Sequence, residues 1–340
     1  MKVKISSPSN IAFIKYWGKS DPKLQWPTND SLSMTLKNCV SITECEAIDS
    51  EEDLVILDGK IILKEDSKHK KIFSHIQFIR DSFKYEGKFK IDTYNTFPKS
   101  SGIASSASGM SALTIALFLS ITKINIKQFN ELTKEELNLL SNLSRLGSGS
   151  ACRSVLGGYV KWNRGMSPYN QSCQSLLNSE HWALKDTILI PTKEEKLVSS
   201  TDGHKKARES ILFEPRISVL PERTKKCVSY IENKDIRSLG EILENEALEI
   251  HSVVMTSNEP ICYLNNTSIE IISSLRKERS NGNINAYFTI DAGSTIHIIS
   301  EEKELNAVKD FIKHYNFKLS DIVYDEVGEG PEILENYYGK

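Results

Sequence analysis

Residues 88–121 run from an alternating strand pattern, through a string of small residues, into a mostly apolar stretch. Lys88 to Tyr94 alternates as a strand does, and Pro98-Lys99-Ser100-Ser101-Gly102-Ile103-Ala104-Ser105-Ser106-Ala107-Ser108 follows. A small-residue loop of this kind lets backbone N–H groups approach an anion closely. The helix behind it turns its free N–H groups and positive dipole end to the same place. Ser105 and Ser106 add hydroxyls that reach phosphate oxygens or a Mg²⁺ ion. The order is not G-x-x-x-x-G-K-[ST], which occurs nowhere in the chain, so an ordinary P-loop is excluded. A plain helix cap is the commoner use of such a segment, and both readings stay open on these residues alone.

Elsewhere, strand-like and helix-like segments alternate irregularly. Lys2 to Ile14 and Val40 to Ala47 read as strands, and Leu54 to Leu63 as a hairpin turned by Asp58-Gly59. The charged tract around that hairpin, Asp49 to Lys71, reads as a solvated surface excursion. Thr133-x-x-Glu136 predicts a helix start, and the helix stops near Gly147. Ile236, Leu239, Leu243, Ala247, Ile250 and Val254 mark a long amphipathic helix. Ala286 to Ile290 and Thr295 to Ile299 read as paired strands flanking Asp291-Ala292-Gly293. This mixture predicts an α+β fold rather than a doubly wound parallel sheet. At 340 residues, two domains are expected, divided as 1–190 and 191–340.

The 43 basic and 45 acidic residues leave a net charge of −2. No general basic surplus is available for nucleic acid or an anionic membrane. Ala112 to Ile121 is too short to cross a bilayer, and the first residues lack a secretory apolar block. The six cysteines include no C-x-x-C pair, which suits thiols in a reducing cytoplasm better than zinc or disulfides.

A second small-residue loop, Gly147-Ser148-Gly149-Ser150-Ala151-Cys152-Arg153-Ser154, carries an arginine able to grip a carboxylate or phosphate with two parallel bonds. A surface loop with a surface arginine is the plainer reading. Cys152 has no neighbouring His or Asp and reads as a packed small residue. Asn10 to Lys19 ends a strand with Lys15, Tyr16, Trp17 and Lys19: either a solvated strand end or ammonium groups aimed at an anion beside an aromatic wall. Asp291, after the apolar Tyr287-Phe288-Thr289-Ile290, is a candidate base. The seven histidines show no metal spacing.

Together and in this order, these stretches resemble the diphosphomevalonate decarboxylases of the GHMP kinase superfamily. N-I-A-x-I-K-Y-W-G-K stands at Asn10 to Lys19, and P-x-N-x-S-L-S at Pro27 to Ser33. The phosphate loop spans Asn95 to Gly109, and S-R-x-G-S-G-S-A-C-R-S spans Ser144 to Ser154, followed by Gly157-Gly158 and Trp162. Val198-Ser199-Ser200 with Gly203, Thr256-Ser257 with Pro260 and Tyr263, Tyr287 to Gly293, and Gly328-Glu329-Gly330-Pro331 complete the pattern.

The resemblance implies a ribosomal protein S5 domain 2-like N-terminal domain and a ferredoxin-like GHMP C-terminal domain, with the active site between them, usually in a homodimer. It implies Mg·ATP-dependent conversion of (R)-5-diphosphomevalonate to isopentenyl diphosphate. Asp291 would accept the 3-hydroxyl proton, Arg153 hold the C1 carboxylate, and Lys19 stabilise the transferring phosphoryl group. Tyr16, Trp17, Ser148, Gly149, Ser150 and Ser200 would position the substrate. Asn95, Pro98, Ser101, Gly102, Ile103, Ala104, Ser105, Ser106 and Ser108 would serve ATP, with Ser106 toward Mg²⁺. Three departures stand out: Ser294-Thr295 replaces the usual Pro-Asn after Asp-Ala-Gly, Pro98-Lys99-Ser100-Ser101 replaces P-T-A-A, and Lys196-Leu197 replaces paired lysines. The rival readings are a 5-phosphomevalonate decarboxylase, a 3-hydroxyl kinase and a non-catalytic binding protein. The last two fit poorly with Asp291, Lys19 and Arg153 all present.

Overall fold

The computed structural model describes residues 2–98, 103–192 and 198–337. The chain opens with β1 (Lys2–Ile14), two short strands, β2 (Lys19–Asp21) and β3 (Trp26–Pro27), and the long β4 (Ser31–Ile48). The expected hairpin is β5 (Leu54–Leu57) and β6 (Lys60–Ile62), turned by Asp58 and Gly59 at φ 51° and 77°. Then come α1 (Lys70–Ser82), β7 (Lys88–Asn95) and α2 (Ser105–Thr122). Next, α3 (Lys134–Gly147) starts at the expected capping box, in which the Thr133 hydroxyl accepts from Glu136 N–H and the Glu136 carboxylate accepts from Thr133 N–H. β8 (Tyr159–Asn163), β9 (Ser172–Leu177) and β10 (Lys185–Ile190) follow. Four helices come next: α4 (Ser200–Ala207), α5 (Phe213–Glu232), α6 (Ile236–Met255) and α7 (Asn266–Ser280). β11 (Ala286–Thr289) and β12 (Ile296–Ser300) pair as expected, and α8 (Leu305–Tyr315), β13 (Asp321–Glu326) and β14 (Glu332–Tyr337) end the fold.

Two sheets carry the site. The larger has the order β14-β1-β4-β7-β5-β6, with β8 and β9 continuing from the start of β4. The smaller has the order β11-β12-β10-β13, antiparallel throughout. Helix α2 is apolar on every side because it lies in the core among β1, β4, α1 and α3. Its 18 residues exceed the ten that the sequence marked, and by length and composition they suffice to cross a membrane. They are also 72% buried within this fold.

A bulge in β4 joins the sheets. Pro8 pairs with Val40 but Asn10 with Thr35, so β4 carries surplus residues between those points. The Asp325 carboxylate, from β13 of the other sheet, accepts the freed N–H groups of Lys37, Asn38 and Cys39 at 3.0, 2.9 and 2.8 Å. The division expected at residue 190 therefore meets a more interleaved chain. β10 belongs with the second sheet, and β14 returns to pair with β1 of the first.

Candidate active site

β1 is buried from Ile5 onward, and the chain continues inward to Lys15, which is only 2% exposed. Its N–H donates to the Glu246 carboxylate of α6 at 2.9 Å, and its Nζ donates to Asp291 Oδ1 at 2.7 Å. Asp291 stands just past the end of β11. Burial opposes its ionisation, but the charge and hydrogen bond of Lys15, helped by His297 and Arg153, hold the carboxyl below its usual range. Burial draws the Lys15 ammonium down from its ordinary value, against the pull of Asp291 and Glu246. The result is an ionised carboxylate fixed at the junction of the two sheets.

Gly18, at φ +89°, then turns the chain away, and a Cβ there would lie 2.6 Å from the Phe213 ring. Lys19 consequently starts β2 on another part of the wall. The ammonium beside Asp291 is that of Lys15; Lys19, to which the resemblance gave the transferring phosphoryl group, lines the same cleft. Burial, with Lys71 and Lys205 nearby, pushes the Lys19 pKa down to about 8. His204 of α4 accepts the Gly18 N–H at 3.0 Å and lies against the rings of Tyr16 and Trp17, centroids 4.3 and 4.7 Å away. Burial and the lysines hold it well below its ordinary pKa, so the ring is neutral.

Arg153 is 2% exposed. Its guanidinium donates to Ser33 Oγ (2.9 Å), Ser31 Oγ (2.6 Å) and Asn10 Oδ1 (3.0 Å), all neutral acceptors. Among the described residues, no carboxylate forms an ion pair with it. A buried cation held only by neutral groups is costly to bury, which leaves room for an external anion.

These groups line one cleft of about 610 Å³, together with Ile103, Ala104, Ser105, Ser106, Ser148, Gly149, Ser150, Ser199 and Ser200. Ser106 Oγ and Ser148 Oγ lie 3.2 Å apart, bringing the two small-residue loops together. Gly149 is required by Tyr16, whose ring would sit 2.5 Å from any Cβ there. The cleft thus contains Tyr16, Trp17, Lys19, Arg153, Asp291 and, of the serines that the sequence singled out, Ser105, Ser106, Ser148, Ser150 and Ser200. Asn95, Pro98 and Ser108 are not among its lining residues. Asn95 and the fully buried Ser108 instead flank the Ser41 hydroxyl, at 2.6 and 2.7 Å. Ser101 and Gly102 lie outside the described residues, as do Lys99, Ser100, Lys196 and Leu197. Cys152 is packed as expected, its thiol on the Gly149 carbonyl.

The sequence reading offered Lys15 only as one of two ammonium groups aimed at an anion, and assigned no role to Lys71, His204 or Glu246. Lys15 carried a usable signal, since it directly follows the apolar run Ile11 to Ile14. Lys71, at the start of α1, is exposed, as its charged tract predicts, and it also lines the cleft.

A small-residue loop before a core helix, a second such loop carrying arginine, and a lysine–aspartate pair bridging two α+β layers define the GHMP kinase fold with its cleft between two domains. Residues 7–175 match the diphosphomevalonate decarboxylase-like N-terminal domain, and residues 187–333 match the mevalonate 5-diphosphate decarboxylase C-terminal domain. The chain belongs to the diphosphomevalonate decarboxylase family. It is 32% identical over 360 residues to the diphosphomevalonate decarboxylase of Candida albicans, covering 96% of each chain. Its structure is similar to that of MDDEF in complex with MVAPP, AMPPCP and magnesium, at TM-score 0.88 and 31% identity over 99% of both chains. Mevalonate diphosphate decarboxylase from Staphylococcus aureus also superposes at TM-score 0.88, with 29% identity over 98% of both chains.

Proposed function

We propose that this chain decarboxylates (R)-5-diphosphomevalonate in a Mg·ATP-dependent reaction that yields isopentenyl diphosphate, CO₂, ADP and phosphate. The observation that carries this reading is the buried Arg153, with no carboxylate partner among the described residues, in the same cleft as the Lys15–Asp291 pair. The arginine suits the substrate's C1 carboxylate and the aspartate its C3 hydroxyl. The diphosphate suits the wall that holds Lys19, Ser150 and Ser200.

A tertiary hydroxyl leaves poorly, so it is first phosphorylated. The 3-oxygen forms a bond to the γ-phosphorus as the bond to ADP breaks, and the hydroxyl proton passes to Asp291. Lys15 keeps that carboxylate ionised and aimed, which is positioning and electrostatics more than strong base chemistry. The C3–O bond then breaks, phosphate taking the electron pair. The C1–C2 pair becomes the C2–C3 double bond as CO₂ departs. Mg²⁺, when bound, would take oxygen ligands and neutralise phosphate charge, and Ser106, whose hydroxyl lies beside that of Ser148, would help hold it with the phosphates.

Two properties belong to the same proposal: a homodimer, and a cytoplasmic setting supported by six free cysteines. Mg·ATP supplied with each mevalonate form, followed by ADP, phosphate and CO₂, tests the activity. Stoichiometric CO₂ from the diphosphate is expected. ADP without CO₂, or turnover of the monophosphate alone, would overturn the assignment.

A further inference from the structure

Asp291-Ala292-Gly293 runs through a turn into Ser294-Thr295. Here that turn is held from outside. The Asp291 carbonyl accepts the Gly293 N–H at 2.7 Å, closing a tight turn, and it accepts a second bond from His251 Nε2 of α6 at 3.1 Å. A carbonyl only accepts, so the His251 proton sits on Nε2. The ring is 2% exposed, and burial lowers its pKa to about 4, so it is a neutral donor. Its other nitrogen, Nδ1, is buried without a partner among the described residues. Such a lone pair is costly, and this arrangement gives up one bond to secure the one on Asp291. Tyr263 meets the ring edge-on at 6.0 Å and 87°, and its hydroxyl donates to the Ser199 carbonyl at the head of α4. On the far side of the turn, the fully buried Ser268 of α7 places Oγ 2.7 Å from the Ser294 carbonyl.

We propose that His251 and Ser268 are positioning residues that clamp the Asp291 turn from α6 and α7, aiming its carboxylate across the cleft at Lys15. The clamp acts through Asp291 and touches no reacting atom. Its effect on turnover rests on the function proposed above, but the geometry can be tested without turnover.

The test uses His251→Phe, His251→Gln and Ser268→Ala in the full chain. The carboxyl titration of Asp291 is followed by ¹³C NMR, its signal identified by its absence in Asp291→Asn. His251→Phe and Ser268→Ala should each raise the Asp291 pKa toward the ordinary carboxylate value, as the contact with Lys15 loosens. Each should lower kcat about 10- to 100-fold, as for a small misplacement of a reacting group, with the KM for Mg·ATP little changed. His251→Gln, which keeps an N–H donor, should recover most of both. Ser268→Ala removes one oxygen and remains informative if His251→Phe does not fold. An unchanged Asp291 titration in Ser268→Ala would overturn the clamp, as would a kcat loss with no titration shift. If the parent protein lacks decarboxylase activity but the titration shifts, the clamp stands and the proposed function fails.

Discussion

Lys15 and Lys19 lie four positions apart and do different work. Lys15 is locked between Glu246 and Asp291, whereas Lys19 faces other lysines and titrates at about 8. An ammonium with a lowered pKa loses its charge as pH rises through that value, so kcat/KM for a diphosphate substrate should fall above about pH 8. Lys19→Arg stays charged and should push this alkaline limb out of range, while Lys19→Met should remove the limb and raise KM at every pH. A pH–rate profile of the three proteins decides the matter. Arg153→Met should act differently, abolishing CO₂ release while Mg·ATP binding, followed by titration calorimetry, stays near that of the parent. A defect confined to ATP affinity would contradict the place given to Arg153.

Among the elements, α5 and α6 are joined by charge as well as by apolar contact. Glu246, fully buried on α6, accepts from Arg216 at 2.7 Å, and Arg223 reaches the same carboxylate. Glu246→Ala would leave the Arg216 guanidinium buried without its closest partner and the Lys15 N–H without an acceptor. Breaking a buried pair from one side costs roughly 3–5 kcal/mol, so urea unfolding should show a loss of that order. Helices α3 and α6 were legible because a capping box and a three-to-four spacing are local signals. Only the latter half of β4 was read as a strand, although Ser31 to Leu36 alternates as well; the bulge at residues 36–39 separates the two runs. The Lys15–Asp291 pair spans 276 residues, and nothing near either residue announces the other. Arg153 was singled out by its loop, but its burial against Ser31, Ser33 and Asn10 became visible only once β1 and β4 were side by side. The same distance effect hid Lys71, whose neighbours in sequence are solvated although its helix starts at the cleft.

For the molecule as a whole, Asp325 is a main bond between layers. Asp325→Ala would strand the N–H groups of the β4 bulge, of which Cys39 is buried, at a cost of about 2–4 kcal/mol for charge-assisted bonds. The two sheets share one apolar cluster, so urea should still unfold both in one step, with far- and near-UV signals coinciding at a lower midpoint. Separate transitions would show that the layers fold independently. The pairing of β1 with β14, from Lys2 with Tyr337 to Ser6 with Glu332, bears on how the protein is made. During synthesis the first strand emerges hundreds of residues before its outer neighbour. Until residues 332–337 clear the ribosome, the edge of β1 presents unpaired backbone groups backed by apolar side chains, the pattern that recruits a strand from another chain. A nascent or truncated chain ending before Glu332 is therefore exposed to aggregation, and its yield of soluble protein depends on six residues remote from the chemistry.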